Sequence, residues 1–283
     1  MNALTARSAR VSGLQVEVVG EGPPLLVAHG GPGANHVLYR TLDALAVGRQ
    51  LVFWDHRGHG RSEALPERQV EIADFAADVV AVADGLGIER FALFGHSFGG
   101  WVAQEAALRH ADRIDALVLA GTTPGQLGAS ESPDDDQGPP PPAEIVRLMG
   151  TMPATDEEAA AQYRALGPYF ARTADPTILA AALGETPPSA ASMVRVFEAL
   201  GRWSSVDRLD RITCPTLVVA GRYDDFCSLA QHERIARRIT GAELAVFERS
   251  GHFPWLEEPD VFFERIGGWL DDKFGSVGAA TAI

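Results

Sequence analysis

The amino-acid sequence predicts an α/β fold in which helices flank a mostly parallel central sheet, with a helical insertion in the middle of the chain. Short apolar runs alternate with helical patterns on both sides of residues 122–206, whereas within that stretch helical patterns continue without a convincing strand. A run at 14–19 alternates apolar and polar side chains, which favours an antiparallel edge hairpin with the residues before Gly13. The other predicted strands are 25–28, 51–54, 91–94, 116–120, 216–220 and 243–247.

The length of 283 residues fits one α/β domain that carries an insertion. We therefore expect a core built from residues 1–121 and 207–275, with residues 122–206 folded as a helical cap. Apolar residues at helical spacing in 193–200 support the cap prediction. The terminal segment 276–283 is expected to be a flexible tail.

Charge and hydropathy exclude several classes of partner. The formal net charge is −14 and no Lys/Arg-rich run occurs, so neither nucleic acid nor a membrane surface is predicted as a partner. The amino terminus lacks the apolar core of a signal peptide, and no run of about 18 apolar residues follows, which indicates a cytoplasmic protein.

The sequence contains two cysteines, Cys214 and Cys227. They lie at opposite ends of one predicted strand, so we expect two free thiols.

The most informative motif is Gly95-His96-Ser97-Phe98-Gly99, which directly follows the apolar run 91–94 and precedes a helical pattern. A nucleophilic serine on a sharp strand-to-helix turn requires glycine two residues before and after it, because a β-carbon would keep strand and helix apart. The motif therefore predicts that Ser97 is a nucleophile exposed at the carboxyl edge of the sheet.

A serine hydroxyl needs a positioned base, and the base needs an acid that fixes its tautomer. His252 follows the last predicted strand, which makes it the candidate base among several histidines. The acid is expected after the preceding strand, where Asp224 and Asp225 are neighbours on one loop. The residues alone leave both aspartates as candidates.

The glycine-rich segment HGGPG at 29–33 follows the strand predicted at 25–28. Its backbone can approach a substrate without obstruction by side chains. Negative charge that develops on a substrate carbonyl needs preorganised N–H donors. We therefore predict an oxyanion hole formed by the backbone N–H groups of Gly31 and Phe98.

The segment DHRGHGRS at 55–62 carries His56 and His59 three residues apart, next to Asp55. No cluster of thiolates or carboxylates with metal-ligand spacing accompanies them, which favours a structural turn. We predict neither a metal nor a cofactor, and we interpret Cys227 as a packing residue.

Together the motifs HGGPG, DHRGHGRS, GHSFGG and GRYDDF with the final GH resemble the α/β-hydrolase superfamily, and HGGPGANHVLY resembles its proline iminopeptidase and amino-acid amidase branch. The resemblance covers 14–121 and 207–270. It implies that the catalytic acid stands three residues after Gly221, the glycine that follows the strand predicted at 216–220, which makes Asp224 the acid. It also implies that Asp225 holds a substrate α-amino group; the alternative is that Asp225 is a solvated loop aspartate. His56 and Phe98 depart from the iminopeptidase pattern, and GHSFGG is common among esterases, lactonases and carbon–carbon bond hydrolases.

The predicted function is covalent acyl transfer, in which a small, partly hydrophobic substrate loses an ester or amide bond through an acyl-enzyme on Ser97. Alternatives are an esterase or lactonase, a carbon–carbon bond hydrolase, and a noncatalytic ligand receptor on the same fold. A serine at this position excludes the epoxide hydrolases and dehalogenases, which require a carboxylate there. The sequence makes no prediction of oligomeric state. Cap side chains predicted to roof the substrate pocket are Tyr169, Phe170, Met193, Phe197 and Trp203.

Overall fold

The computed structural model describes residues 6–125, 140–175, 177–178 and 186–275, in which eight strands form one sheet. The predicted tail at 276–283 and parts of 122–206 lie outside the described residues. The strands are β1 (Arg7–Val11), β2 (Leu14–Gly20), β3 (Pro24–Ala28), β4 (Gln50–Trp54), β5 (Phe91–His96), β6 (Ile114–Ala120), β7 (Thr216–Gly221) and β8 (Glu243–Phe247).

The strand order is β1-β2-β4-β3-β5-β6-β7-β8, with β3 to β8 parallel and β2 antiparallel to both β1 and β4. The sheet confirms the predicted fold class and the predicted edge hairpin. β5 lies between β3 and β6, where Ala28 pairs with Gly95 and His96 pairs with Ala120. The carboxyl ends of the central parallel strands therefore meet at one edge of the sheet.

Helices cover both faces of the sheet because alternate strand residues point to opposite sides. Leu26 and Leu93 belong to the core on the face covered by α1 and α2, whereas Val27 and Phe94 belong to the core on the opposite face, under α8. The helices are α1 (Ile72–Gly85), α2 (Phe98–Arg109), α3 (Ala143–Met149), α4 (Asp156–Phe170), α5 (Ala190–Leu200), α6 (Leu229–Arg238), α7 (Pro254–Glu257) and α8 (Pro259–Phe274). A 3₁₀ helix that the sequence did not predict spans Val37–Ala46.

The stretch between β6 and β7 contains α3, α4 and α5. Its two ends meet in an isolated bridge between Gly125 and Ser204, and the N–H of Ser205 donates to the Pro124 carbonyl at 2.8 Å. Trp203 Nε1 donates to Glu105 Oε2 at 2.9 Å. These contacts join the two ends of the inserted stretch to each other and its second end to α2.

Asp55 holds the turn at 55–62 together. Its Oδ1 accepts the backbone N–H of His36 at 3.0 Å, and its Oδ2 accepts the backbone N–H of Arg61 at 2.8 Å. His56 and His59 are fully buried beside this turn. The interpretation of the segment as a structural turn is confirmed.

Cys214 and Cys227 are both free thiols, as predicted. Within the part of the chain that the structure describes, the helices are too short or too polar to cross a membrane.

Burial sets the protonation of most core histidines. Five have lowered pKa values, with desolvation as the largest cause, and for His29 and His59 the pKa falls to about 3 and about 4. His36 is the exception: burial lowers its pKa, but hydrogen bonds to Asp55 and Glu17 outweigh that effect and raise it. The five histidines with lowered pKa are His29, His56, His59, His96 and His232.

The protein should therefore lose stability as pH falls through the usual histidine pKa of 6.5. Below that pH the histidines of the unfolded chain bind protons, whereas the buried rings of the folded protein stay neutral. His29 and His59 should therefore each lower the free energy of unfolding by about 2 kcal/mol between pH 8 and pH 5. His36 acts in the opposite sense but is outnumbered. Urea unfolding at pH 8, 6.5 and 5 measures the trend, and His59→Gln should reduce its slope. Stability that is constant or rises towards pH 5 would contradict the assignment.

Candidate active site

Ser97 lies on the sharp turn between β5 and α2, with φ 54° and ψ −119°. The flanking glycines make this turn possible. A β-carbon at Gly95 would lie 2.5 Å from the Ala103 β-carbon, and one at Gly99 would lie 2.0 Å from the Ala28 carbonyl oxygen. The steric reason for the Gly-x-Ser-x-Gly spacing is therefore visible in the packing of α2 against β3 and β5.

Three hydrogen bonds hold the backbone of Ser97 in this conformation. Its N–H donates to the Ala120 carbonyl at 3.0 Å, and its own carbonyl accepts the Gly100 N–H at 2.9 Å and the Thr122 hydroxyl at 3.0 Å. A non-glycine residue at positive φ costs about 1–3 kcal/mol and persists only when its surroundings enforce it. The position of the Ser97 side chain is thus set by the backbone.

His252 and Asp224 form a buried hydrogen-bonded pair. His252 Nδ1 lies 2.8 Å from Asp224 Oδ2, and the other carboxylate oxygen accepts the N–H groups of Phe226 and Cys227, each at 2.9 Å. A carboxylate held in this way requires the proton on Nδ1, which leaves Nε2 of the imidazole as an acceptor. His252 and Ser97 line the same cavity.

Burial alone would raise the pKa of Asp224. The charge and hydrogen bond of His252, with the backbone N–H of Cys227, outweigh that effect and lower it. Asp224 therefore stays ionised beside the His252 ring. The same carboxylate, together with burial, raises the pKa of Cys227 well above its usual value, which keeps that thiol protonated and supports its interpretation as a packing residue.

The loop that carries His252 is bound to the inserted stretch. The His252 N–H donates to the Phe170 carbonyl at 2.9 Å. The Glu257 carboxylate accepts the N–H of Gly251 at 2.6 Å on one oxygen and the N–H of Arg172 at 2.6 Å on the other. The chain directly after α4 and the loop that carries His252 (the base loop, from the role predicted for His252) thus share one carboxylate.

Of the two predicted N–H donors, Gly31 lines the cavity, whereas Phe98 follows Ser97 directly and is not among the residues of the cavity wall. Gly31 follows β3 at φ +76° and lines the cavity, and its carbonyl accepts the Ala34 N–H at 2.8 Å. The preceding N–H, that of Gly30, donates to the Tyr39 hydroxyl at 2.7 Å and is therefore occupied. Phe98 is the first residue of α2, where an N–H has no intrahelical acceptor and the helix dipole favours negative charge.

The cavity at this edge of the sheet has a volume of about 870 Å³, counted with the solvent-filled space at its mouth. Its wall is mainly aliphatic and aromatic, and among the described lining residues none is an aspartate, glutamate, lysine or arginine. Two of the polar side chains on the wall are engaged with the backbone: Tyr163 donates to the Pro32 carbonyl at 2.7 Å, and Asn35 Oδ1 accepts the Val37 N–H at 2.9 Å.

Three of the predicted pocket side chains line this cavity, namely Phe170, Met193 and Phe197. The Phe170 ring stacks on Phe226, with centroids 4.6 Å apart, and lies 5.8 Å from the His252 ring. This stack packs against the His252 ring on the apolar side of the cavity.

Three further residues predicted to contact substrate, Tyr169, Trp203 and Asp225, are not among the residues that line this cavity. Tyr169 precedes Phe170 by about 100° of helical turn; it packs against the cluster that contains Ile145 but does not line the cavity. Trp203 is held away by its hydrogen bond to Glu105. Asp225 is exposed on the loop, whereas its neighbour Asp224 is buried.

The sequence-based prediction missed the contribution of residues 35–39 to the wall. Leu38 and Tyr39 lie in the 3₁₀ helix Val37–Ala46, whose apolar spacing at Leu38, Leu42 and Leu45 was the available signal. Tyr163 was assigned to a helix but not to the pocket, because helical spacing marks a buried face without showing what that face covers.

One group of metal-ligand type occurs among the described residues: Asp224, Cys227 and His252 place an oxygen, a sulfur and a nitrogen within 4.8 Å of one another. A divalent ion there would have to displace the Nδ1 proton of His252 and the proton of a thiol whose pKa is raised. The geometry thus fits an acid–base pair better than a ligand set.

Fold and site together define a hydrolase of the α/β class. A family model described as the alpha/beta hydrolase fold matches residues 23–259, and the chain belongs to that family.

A proline iminopeptidase of Heyndrickxia coagulans is 26% identical over 93% of this chain and 95% of its own, which confirms the resemblance to that branch. A 2-hydroxymuconate semialdehyde hydrolase of Pseudomonas sp. (strain CF600) is 31% identical over 89% of this chain and 88% of its own. Among solved structures, an esterase from Exiguobacterium antarcticum has a TM-score of 0.77 and 25% identity, covering 94% of this chain and all of its own. These relatives support hydrolase activity but do not agree on a substrate.

The two neighbouring aspartates allow a matched test of the acid. Asp224→Asn should lower kcat by about 10³-fold or more. An amide has one oxygen, so it cannot accept both from the backbone N–H groups and from His252 Nδ1, and its NH₂ group favours the wrong imidazole tautomer. Asp225→Asn should stay within about twofold of the wild type, since Asp225 lies outside the cavity. Steady-state hydrolysis of an aryl ester measures both variants. Equal losses, or a larger loss at Asp225, would reverse the assignment.

Proposed function

We propose that the protein is a serine hydrolase that cleaves esters of small, uncharged, apolar acyl groups through an acyl-enzyme on Ser97. The observation that carries this proposal is the hydrogen-bonded pair Asp224–His252 on the same cavity as the strained serine turn. Residues 122–206 act as a cap in this proposal, since Phe170, Met193 and Phe197 form part of the cavity wall.

In the acylation step, His252 Nε2 takes the Ser97 hydroxyl proton while Oγ bonds to the substrate carbonyl carbon. The carbonyl oxygen becomes an oxyanion and accepts hydrogen bonds from the N–H groups of Gly31 and Phe98. The tetrahedral intermediate collapses, the bond to the leaving group breaks, and the imidazolium returns its proton to that group. Asp224 remains ionised throughout and stabilises the imidazolium.

In the deacylation step, water replaces the leaving group. His252 takes a proton from the water as its oxygen attacks the acyl carbon, and the same N–H groups hold the new oxyanion. Collapse releases a carboxylic acid and returns the proton to Ser97. The full cycle therefore restores the protonation of His252 and Ser97 from which it began.

The cavity wall supports an uncharged substrate. A substrate with a free α-ammonium group needs a buried carboxylate, and a dienoate substrate needs a buried cation. The described lining residues offer neither, and the polar side chains Asn35 and Tyr163 are engaged with the protein's own backbone. An apolar acyl group can pack against the wall without burying an unpaired charge.

Aminoacyl hydrolysis is the second candidate, because the chain resembles proline iminopeptidases. The sequence-based prediction assigned the α-amino group to Asp225, but that residue lies outside the cavity wall. Carbon–carbon bond cleavage would instead show as turnover of a dienoate, and noncatalytic binding would show as an absence of turnover.

A panel of short-chain and medium-chain aryl esters, lactones, aminoacyl anilides and dienoates tests the proposal with purified protein. Esters of apolar acyl groups should give the highest kcat/KM, and Ser97→Ala should lose at least about 10³-fold in kcat while retaining its thermal unfolding temperature. Preference for a free α-amine or for a dienoate would replace the proposed substrate class. Full turnover by Ser97→Ala, or no turnover of any member, would reject the mechanism.

A further inference from the structure

A continuous chain of hydrogen bonds joins the glycine loop to the base loop through the residue that precedes the serine. The Gly30 N–H donates to the Tyr39 hydroxyl at 2.7 Å. The Tyr39 hydroxyl lies 2.7 Å from His96 Nδ1, and His96 Nε2 lies 2.8 Å from the His252 carbonyl oxygen. Residues from three distant parts of the chain thus meet in one line of polar contacts.

The direction of every proton in this chain is determined. A carbonyl oxygen can only accept, so His96 donates from Nε2 to His252 and its Nδ1 is the acceptor. Tyr39 must then donate its single proton to Nδ1, which leaves its oxygen free to accept the Gly30 N–H. Burial lowers the pKa of His96 well below its usual value and raises the pKa of Tyr39, so both groups stay neutral and keep these roles.

Packing allows little alternative geometry along this chain. Tyr39 and His96 are 3% and 1% exposed, and the indole of Trp255 packs against both rings with centroid distances of 5.8 and 4.9 Å. The His96 ring lies 4.5 Å from the His252 ring, in a space that requires glycine at position 121, where a β-carbon would lie 2.8 Å from His96 Nε2.

We propose that Tyr39 and His96 are positioning residues that set the distance between the oxyanion donors and the base. This role rests on the proposed serine hydrolase function. His96 is covalently linked to Ser97, its Nε2 fixes the backbone of His252, and Tyr39 fixes the N–H of Gly30, the residue before Gly31. One rigid unit therefore carries the nucleophile, the base and an oxyanion donor, which otherwise belong to three separate loops.

The unit acts on the transition state rather than on binding. A displacement of about 1 Å between reacting groups costs on the order of 100-fold in rate. Tyr39 and His96 also line the cavity, but the other aliphatic and aromatic side chains of the wall, which bind the acyl group, are unchanged when the chain is lost. Loss of the chain should therefore lower kcat and leave KM for a neutral ester within about twofold.

Three single variants and one double variant test the chain of hydrogen bonds. Tyr39→Phe removes one hydroxyl and should lower kcat about tenfold, and His96→Leu removes both ring nitrogens and should lower it about 100-fold. His96→Gln retains one acceptor and one donor on the side chain, and should recover most of the loss seen in His96→Leu. The double variant Tyr39→Phe/His96→Leu should be no worse than His96→Leu alone, because both changes break one chain.

Thr41→Val is the matched control. Its hydroxyl accepts the Trp255 indole N–H at 2.9 Å on the same 3₁₀ helix, so the change destabilises the same neighbourhood without cutting the chain. Its thermal unfolding temperature should fall, and its kcat should not. If Thr41→Val lowers kcat as much as Tyr39→Phe does, or if the losses in the double variant add, the positioning role is wrong and the contacts serve stability alone.

A readout that needs no substrate separates this inference from the proposed function. The His252 Nδ1 proton, held by Asp224, should give a proton magnetic resonance signal that broadens in Tyr39→Phe and not in Thr41→Val, since the base loop loses its restraint only in the former. Broadening with no ester turnover by the wild type would reject the proposed function and retain the positioning unit. Unchanged signals in all variants would reject the unit.

Discussion

A forced change of direction at Ser97 determines much of the arrangement around it. The chain leaves β5 and enters α2 without an intervening loop, so one residue must adopt φ 54° and ψ −119°. Such strain of about 1–3 kcal/mol is tolerated because three hydrogen bonds hold the backbone of Ser97. The absence of β-carbons at Gly95 and Gly99 leaves room for the close packing around the turn. The strain holds the side chain at the sheet edge, and Phe98 follows directly as the first residue of α2.

The remaining groups reach this edge because parallel strands deliver their following loops to it. Gly31 follows β3, Asp224 follows β7 and His252 follows β8, so each depends on a different crossover for its position. Without further contacts between these loops, the distances between the groups would vary. The structure restrains them twice: Glu257 binds the base loop to the inserted stretch, and Tyr39 belongs to a chain of hydrogen bonds that reaches the base loop from the other side.

The sequence predicted the fold and the candidate site unequally, and for physical reasons. Strand and helix periodicities, together with glycine spacing around Ser97, are local signals, so the sheet and the serine turn could be predicted. The pocket wall depends on which face of a helix meets another element. Phe170 and Tyr169 are adjacent and both aromatic, but only Phe170 faces the cavity. Asp224 and Asp225 were separable only by resemblance, because their difference in burial arises from tertiary packing. Tyr39 ends the segment HGGPGANHVLY, but that pattern indicates no role for its hydroxyl, and its contact with His96 is long-range.

The central claim is that the Ser97 hydroxyl, the His252 imidazole and two backbone N–H groups converge on one reacting carbonyl. A crystal structure of the protein after reaction with an apolar aryl phosphonate tests it directly, because the phosphorus adduct mimics the tetrahedral intermediate. We expect the phosphorus on Ser97 Oγ, with its oxygen within hydrogen-bond distance of the Gly31 and Phe98 N–H groups and with His252 Nε2 beside the serine oxygen. An adduct on another residue, or a phosphoryl oxygen directed away from both N–H groups, would contradict the account.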